Sequence, residues 1–350
     1  MIVKRIFVKN TITQSHNQAK RHNQAKQKMI KIGIIGGAGY TGGELIRILL
    51  HHPKVDIAFI HSQSNAENLV SDVHVDLLGD TDLKFTDQLN FSEIEALFLC
   101  TGHGRAKSFI EGNAIPEAVK IIDLSRDYRL KAEGNDFVYG LPELNKTAIQ
   151  QTNHVANCGC FATAIQLALL PLAKAGLLNN DINVHAITGS TGAGQQPRST
   201  THFSWRNNNL SIYKAFTHQH LGEIRQSLEQ LQPKGVADIN FLPVRGDFPR
   251  GIYASLFTKV DLSLAEAEAL YDDYYKDHPF VIRSAQNPNL KQVVNTNKCV
   301  LHLVKHDNKL LIISLIDNLI KGASGQAVQN RNLLFGFPET LGLNLKAVVF

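Results

Sequence analysis

The sequence predicts an α/β protein with a parallel sheet in its first half and a second domain of α+β type. Three observations carry that expectation. Apolar runs alternate with helical stretches up to about residue 150, as in a sheet whose strands are joined by crossover helices. Beyond it, longer alternating strands follow one another with few helices between them, which suits an antiparallel or mixed sheet covered on one face. A glycine-rich turn joins the first strand to the first helix. The 350 residues also suit two domains better than one.

In order, residues 30–35 form an apolar run that ends in Gly36-Gly37, and the pattern from 40 to 50 is helical. Residues 55–60, 96–100 and 120–124 read as the next strands. The second half opens with a helix at 161–175 and a strand at 183–189, then a loop rich in Gly, Ser, Gln and Pro over 190–201. Strands are expected around 237–242, 251–260, 298–304 and 310–315, with a helix at 264–276 among them. A last helix, about 323–334, follows a Lys-Gly-Ala-Ser-Gly turn.

Hydrophobic content of 43% with 19% charged residues is enough for a sizeable core. Apolar runs fall short of the roughly 18 residues of a membrane span, so no membrane partner is expected. Four cysteines without a Cys-x-x-Cys pair make neither a disulfide framework nor a zinc site, which points to a reducing, cytoplasmic setting without a metal. The formal charge is +5, but seven of the basic residues lie in residues 1–28, which hold no acid; the remainder carries −2. That body has no basic bias toward nucleic acid. Residues 1–28 read as a disordered basic extension, with a transit peptide as the alternative.

Four motifs carry chemistry. Gly36-Gly37-Ala38-Gly39-Tyr40-Thr41-Gly42 lies between strand and helix, where glycines let a pyrophosphate approach backbone N–H groups and the positive helix end. The strand at 55–60 is followed by His61-Ser62-Gln63 with no carboxylate to bind a ribose 2′-hydroxyl, so NADP(H) is expected, with Ser62 and Gln63 as donors to its 2′-phosphate. Asn157-Cys158-Gly159-Cys160-Phe161 places Cys160 at a helix start. Unpaired N–H groups and the helix dipole there are expected to lower its pKa and make it a nucleophile. His218 and His220 are both candidates for the histidine that takes its proton. Arg245 and Arg250, flanked by Pro and Gly before a strand, are forks for a carboxylate or phosphate.

With these residues in order, 29–350 resembles the N-acetyl-gamma-glutamyl-phosphate reductase family of arginine biosynthesis. The resemblance also includes Asp123 to Arg129, Tyr139 to Glu143, Gly189 to Gly194 and Asp317 to Asn330. It implies a Rossmann cofactor domain over 29–156 and about 321–350, and a catalytic domain of the semialdehyde dehydrogenase type over 157–320. It implies Cys160 as nucleophile, His220 with His218 as its close rival for acid/base, Arg250 as substrate anchor, and Asn318 near the nicotinamide amide. Gly36, Gly39, Tyr40, Thr41 and Gly42 would hold the cofactor; Asn157, Ser190 and Gln195 would face a small acyl phosphate. A homo-oligomer, dimer or tetramer, is expected. The chain departs from the family where Cys158, Phe161 and Ala162 replace Pro, Tyr and Pro, where Gln195 replaces a basic residue, and where Trp205 stands near a commoner Glu. Those changes leave a larger acyl group such as succinyl, or aspartate-semialdehyde chemistry, as alternatives. Cys158 could protect Cys160 from oxidation or merely fill space.

Overall fold

The structure, a computed structural model, describes residues 28–102 and 104–349. The expected extension at 1–28 lies outside them except for Lys28, which is exposed and pairs with Glu95 at 2.6 Å.

The first half runs β1 (Ile30–Ile35), α1 (Tyr40–Leu49), β2 (Val55–His61), α2 (Val70–Val73), β3 (Phe85–Thr86), β4 (Ala96–Leu99), α3 (Ala106–Glu111), β5 (Lys120–Asp123), β6 (Val138–Gly140), α4 (Pro142–Gln151) and β7 (His154–Asn157). Among the described residues these strands form one sheet in the order β3-β2-β1-β4-β5-β7-β6, with parallel pairing throughout. Parallel strands are covered on both faces, which is why β4 is a continuous apolar run, buried at every position. On α1 the buried Leu45, Ile46, Ile48 and Leu49 make one stripe at helical spacing.

The second half continues with α5 (Cys160–Lys174), β8 (Ile182–Thr188), α6 (Phe203–Arg206), β9 (Ser211–Ile212), α7 (His220–Leu231), β10 (Ile239–Arg245), β11 (Ile252–Lys259), α8 (Leu264–Tyr275), β12 (Val281–Arg283), β13 (Cys299–His306) and β14 (Lys309–Ile316). Its sheet runs β12-β13-β14-β11-β8-β10-β9 and is mixed: β12–β13 and β8–β10 are parallel, the other neighbours antiparallel. The central helix is α5, thirteen of whose fifteen residues are buried. Pro171 lies inside it and cannot donate to the Leu167 carbonyl one turn back. The Tyr275 hydroxyl of α8 supplies the missing donor, at 2.5 Å, and the Tyr271 hydroxyl donates to the neighbouring Ala168 carbonyl, also at 2.5 Å.

The chain then returns to the first sheet. A π-helical turn, Ile320–Ser324, leads into α9 (Gly325–Leu334), which is buried along its whole length although half of it is polar. Its side chains reach backbone on other elements: Asn330 donates to Gly140, Arg331 to Lys54, and Asn332 to Leu341. Ile320, Ala327, Val328, Leu333 and Leu334 share a core with β1, α1 and β4. The expected strands and the long helices stand within a few residues of their predicted ends. Sequence patterning left out the short strands β3, β6, β7, β9 and β12 and the helices α2, α3, α4, α6 and α7, and the helix expected from 323 begins with the π turn.

Candidate active site

The turn from β1 into α1 is tight. Gly36 has φ of +75°, and a Cβ there would lie 2.7 Å from the Cys100 carbonyl oxygen. The N–H groups of Gly36 and Gly37 both donate to the His61 carbonyl, at 3.1 and 3.2 Å. A Cβ on Gly42 would meet the Gly37 backbone at 2.5 Å, so loop and helix are packed atom on atom. At Gly39 the nearest atom to a Cβ would be 3.8 Å away, so the turn is open on that side. An open concave turn at a helix start, with the first N–H groups of α1 at Tyr40, Thr41 and Gly42 lacking helical partners, fits a dinucleotide pyrophosphate. Ser62 is buried and accepts from Asn65, while Gln63 is exposed.

Cys160 is the first residue of α5, with Gly159 as N-cap. A Cβ on Gly322 of the π turn would meet the Cys160 Cβ at 2.8 Å, and one on Gly159 would collide with the His220 ring. The nucleophile candidate is thus enclosed between the returning chain and His220, which opens α7. One turn along α7, Glu223 is 3% exposed and gathers the site. Its Oε2 accepts from the Gly159 N–H and the Tyr139 hydroxyl, both at 2.9 Å, and its Oε1 accepts from Arg129 at 3.1 Å. The His220 Nε2 lies 3.9 Å from that Oε1. One carboxylate therefore fixes the backbone before Cys160 and faces the imidazole beside it. The i, i+3 spacing of His220 and Glu223 was a legible signal that sequence reasoning passed over, as it did the pairing of Arg129 and Tyr139 with that acid.

His218 stands apart in character. It is packed edge-on against Phe161 at 5.5 Å and Phe241 at 5.5 Å, and its Nδ1 accepts from the His220 N–H at 3.2 Å. Burial, then the neighbouring His220, holds its pKa down to about 3. The Cys160 thiol corrects the sequence expectation. Burial pushes it up rather than down, and the Phe161 N–H and Arg129 oppose that only in part. Cys158 is 1% exposed within the apolar cluster that holds Tyr139 and Phe161, and burial pushes its thiol up as well.

Two expected ligand residues make hydrogen bonds within the fold. The Asn157 amide donates to the Ala323 carbonyl and accepts from Asn330, and Asn157 is 1% exposed. Asn318 accepts from the Gly251 N–H at 2.7 Å and donates to Thr191 at 3.0 Å. Arg250 reaches Glu44 on α1 at 2.5 Å and Asp317 at 3.2 Å, so it bridges the two halves of the chain. Arg245 stacks over the Tyr213 ring at 4.7 Å. Ser190 and Gln195 line a cavity of about 810 Å³ together with Tyr40, Arg198, His202 and Trp205.

The family model described as the semialdehyde dehydrogenase NAD binding domain matches residues 31–152, and the semialdehyde dehydrogenase dimerisation domain matches 160–318. Among solved structures, aspartate semialdehyde dehydrogenase II from Vibrio cholerae is similar with a TM-score of 0.69 at 18% identity, over 88% of this chain and 99% of that one. The aspartate semialdehyde dehydrogenase with NADP from Candida albicans gives 0.64 at 14%, over 88% and 99%. Curated relatives are much closer in sequence. N-acetyl-gamma-glutamyl-phosphate reductase of Phocaeicola vulgatus is 62% identical over 92% of this chain and 100% of its own length. The protein of the same name from Flavobacterium johnsoniae is 58% identical over 91% and 99%. Those full-length identities, with both domain matches, place this chain in the N-acetyl-gamma-glutamyl-phosphate reductase family.

Proposed function

We propose that this protein reduces N-acetyl-γ-glutamyl phosphate to N-acetylglutamate semialdehyde with NADPH, releasing phosphate, as a step of arginine biosynthesis. The observation that carries the reading is Cys160 at the start of α5, pressed between His220 and the π turn. His220 takes the thiol proton, and the Cys160 sulfur attacks the acyl carbon. The bond from that carbon to the phosphate oxygen breaks, and phosphate departs from a thioester. Because burial raises the thiol pKa, a neighbouring base is needed, and Glu223 favours the imidazolium that results. NADPH, when bound, supplies the hydride that reduces the thioester carbonyl. His220 then returns its proton as the tetrahedral species collapses to aldehyde and Cys160 is released. Of the two histidines, His220 suits this part and His218 does not, since His218 is held neutral among aromatic rings. Residues 29–156 with 321–350 serve the cofactor and 157–320 the acyl phosphate.

Phosphate-dependent reduction of NADP+ by N-acetylglutamate semialdehyde, followed at 340 nm, tests the reading. Turnover that needs phosphate and is lost in Cys160→Ser is expected; equal rates without phosphate would exclude an acyl-phosphate reaction. A second reading replaces acetyl by succinyl. It is favoured by Arg198 in the cavity, which offers a cationic partner to a terminal carboxylate. The same assay with N-succinylglutamate semialdehyde separates the two.

The reading extends to a homodimer formed through the face of the second sheet that α5 does not cover. Along β8, β11, β14 and β13, the row Asn183, Phe257, Leu311, Val304 lies in register on that face, with Phe257 and Val304 44% and 39% exposed. An apolar row on a sheet face is normally covered by another surface, and this sheet falls within the dimerisation domain match.

A further inference from the structure

We propose that His74 is a positioning residue for the dinucleotide, which fixes the peptide between Gly37 and Ala38 so that its N–H faces the cofactor phosphates. The proposal rests on the reading of the Gly36–Gly42 turn as the pyrophosphate site. His74 follows α2, far from that turn in sequence, yet its Nε2 donates to the Gly37 carbonyl oxygen at 2.7 Å. A carbonyl only accepts, so Nε2 carries the hydrogen. The donor itself is held firmly. The His74 N–H donates to the Val70 carbonyl at 2.9 Å, the His74 carbonyl accepts from Leu77 at 3.0 Å, and the ring tilts against Phe85 at 6.2 Å. His74 is 8% exposed.

The sequence makes room for this ring. Gly42 and Gly43 stand side by side in the first turn of α1, where each glycine costs about 1 kcal/mol of helix propensity relative to alanine. Gly42 is explained by its contact with the Gly37 backbone. Gly43 is not near that backbone; its missing Cβ leaves the space taken by His74, whose Nδ1 would be 2.5 Å from it.

The effect on the turn follows from peptide geometry. The Gly37 carbonyl and the Ala38 N–H belong to one planar trans unit and point in opposite directions. The other side of the turn is already pinned, because the Gly36 and Gly37 N–H groups donate to His61. Holding the Gly37 oxygen on His74 therefore turns the Ala38 N–H away from the protein. It also polarises that amide as a donor, since hydrogen bonds in series strengthen one another. A pyrophosphate would otherwise meet a peptide free to present its negative oxygen.

The test uses the full chain and reads equilibrium binding of NADP+ by calorimetry, with steady-state kinetics and melting temperature alongside. His74→Ala should raise the Kd for NADP+ and the KM for NADPH about tenfold, the size of one hydrogen bond lost on a preorganised donor. kcat and the KM for acyl phosphate should stay within about twofold. His74→Gln, whose amide N–H can reach the same oxygen, should recover most of the affinity. Gly43→Ala keeps the imidazole but fills its slot, and should weaken binding as well. An unchanged Kd in His74→Ala overturns the proposal. So does a fall of kcat with an equal rise of both KM terms, or a Gln variant no better than Ala. Gly36→Val serves as control: if it binds NADP+ like the wild type, the reading of the turn fails, and with it the reason for testing His74.

Discussion

At the residue scale the site depends on one thiol whose surroundings raise its pKa. Burial favours the neutral thiol, so the free enzyme should hold Cys160 protonated at neutral pH and form thiolate only when a base takes the proton. Iodoacetamide labelling at pH 7 should accordingly be slower at Cys160 than for free glutathione. It should speed up about tenfold per pH unit to above pH 9, as the thiolate fraction grows. Mass-spectrometric counting of the alkylated Cys160 peptide checks this; faster labelling than glutathione at pH 7 would restore the low-pKa thiol that helix position alone suggests. Cys158 is expected to stay unmodified throughout, because it is 1% exposed within the cluster of Tyr139 and Phe161.

At the element scale, the π turn behind Cys160 is held by a buried ion pair. Lys321 donates to Glu143 Oε1 of α4 at 2.7 Å and to Gln329 Oε1 at 2.8 Å, and neither side chain of the pair is exposed to solvent. Removing one partner leaves a charge buried without compensation, so Lys321→Met should cost about 3–5 kcal/mol in urea unfolding. Lys321→Met with Glu143→Leu should recover most of that loss, since replacing a whole buried pair is often neutral. A double variant as unstable as the single one would mean that the charges matter less than the packing of the turn. This pair also shows where sequence reading ended. The strands β1, β2, β4 and β5 were legible as short apolar runs, α5 as a long one, and α1 and α8 by apolar residues at helical spacing. Buried α9 was legible as a helix, but its polar, fully enclosed side chains gave no hint of what they bind. Glu223 was legible only in part: its spacing three residues after His220 hinted at a pair, but its role depends on folding, which brings Arg129, Tyr139 and Gly159 to it. The internal bonds of Asn157 and Asn318 were equally hidden, since nothing in the sequence places Ala323 or Gly251 beside them.

For the whole molecule, the proposed homodimer rests on the open face of the second sheet. Phe257 and Val304 stand on strands separated by β14, in one row through Leu311, on the face opposite the helices. Phe257→Asp places a charge on that row and should convert the proposed dimer to monomer in sedimentation velocity, with a melting temperature lowered by several degrees as the exposed face loses its cover. Unchanged sedimentation of a folded Phe257→Asp protein would move the interface elsewhere.

The return of the chain through Ile320–Leu334 to the core of β1, α1 and β4 has a consequence for synthesis. On the ribosome, the segment 30–157 emerges with its strands complete but with the space later filled by Ala327, Val328, Leu333 and Leu334 still vacant. That half must wait, with apolar side chains of Ile32, Leu45 and Phe98 unprotected, until the entire second sheet has been translated. Nascent chains stalled before residue 320 are expected to hold on to chaperones and to be cut readily by protease within 30–157. Released full-length chains, in which α9 is free to dock, should resist.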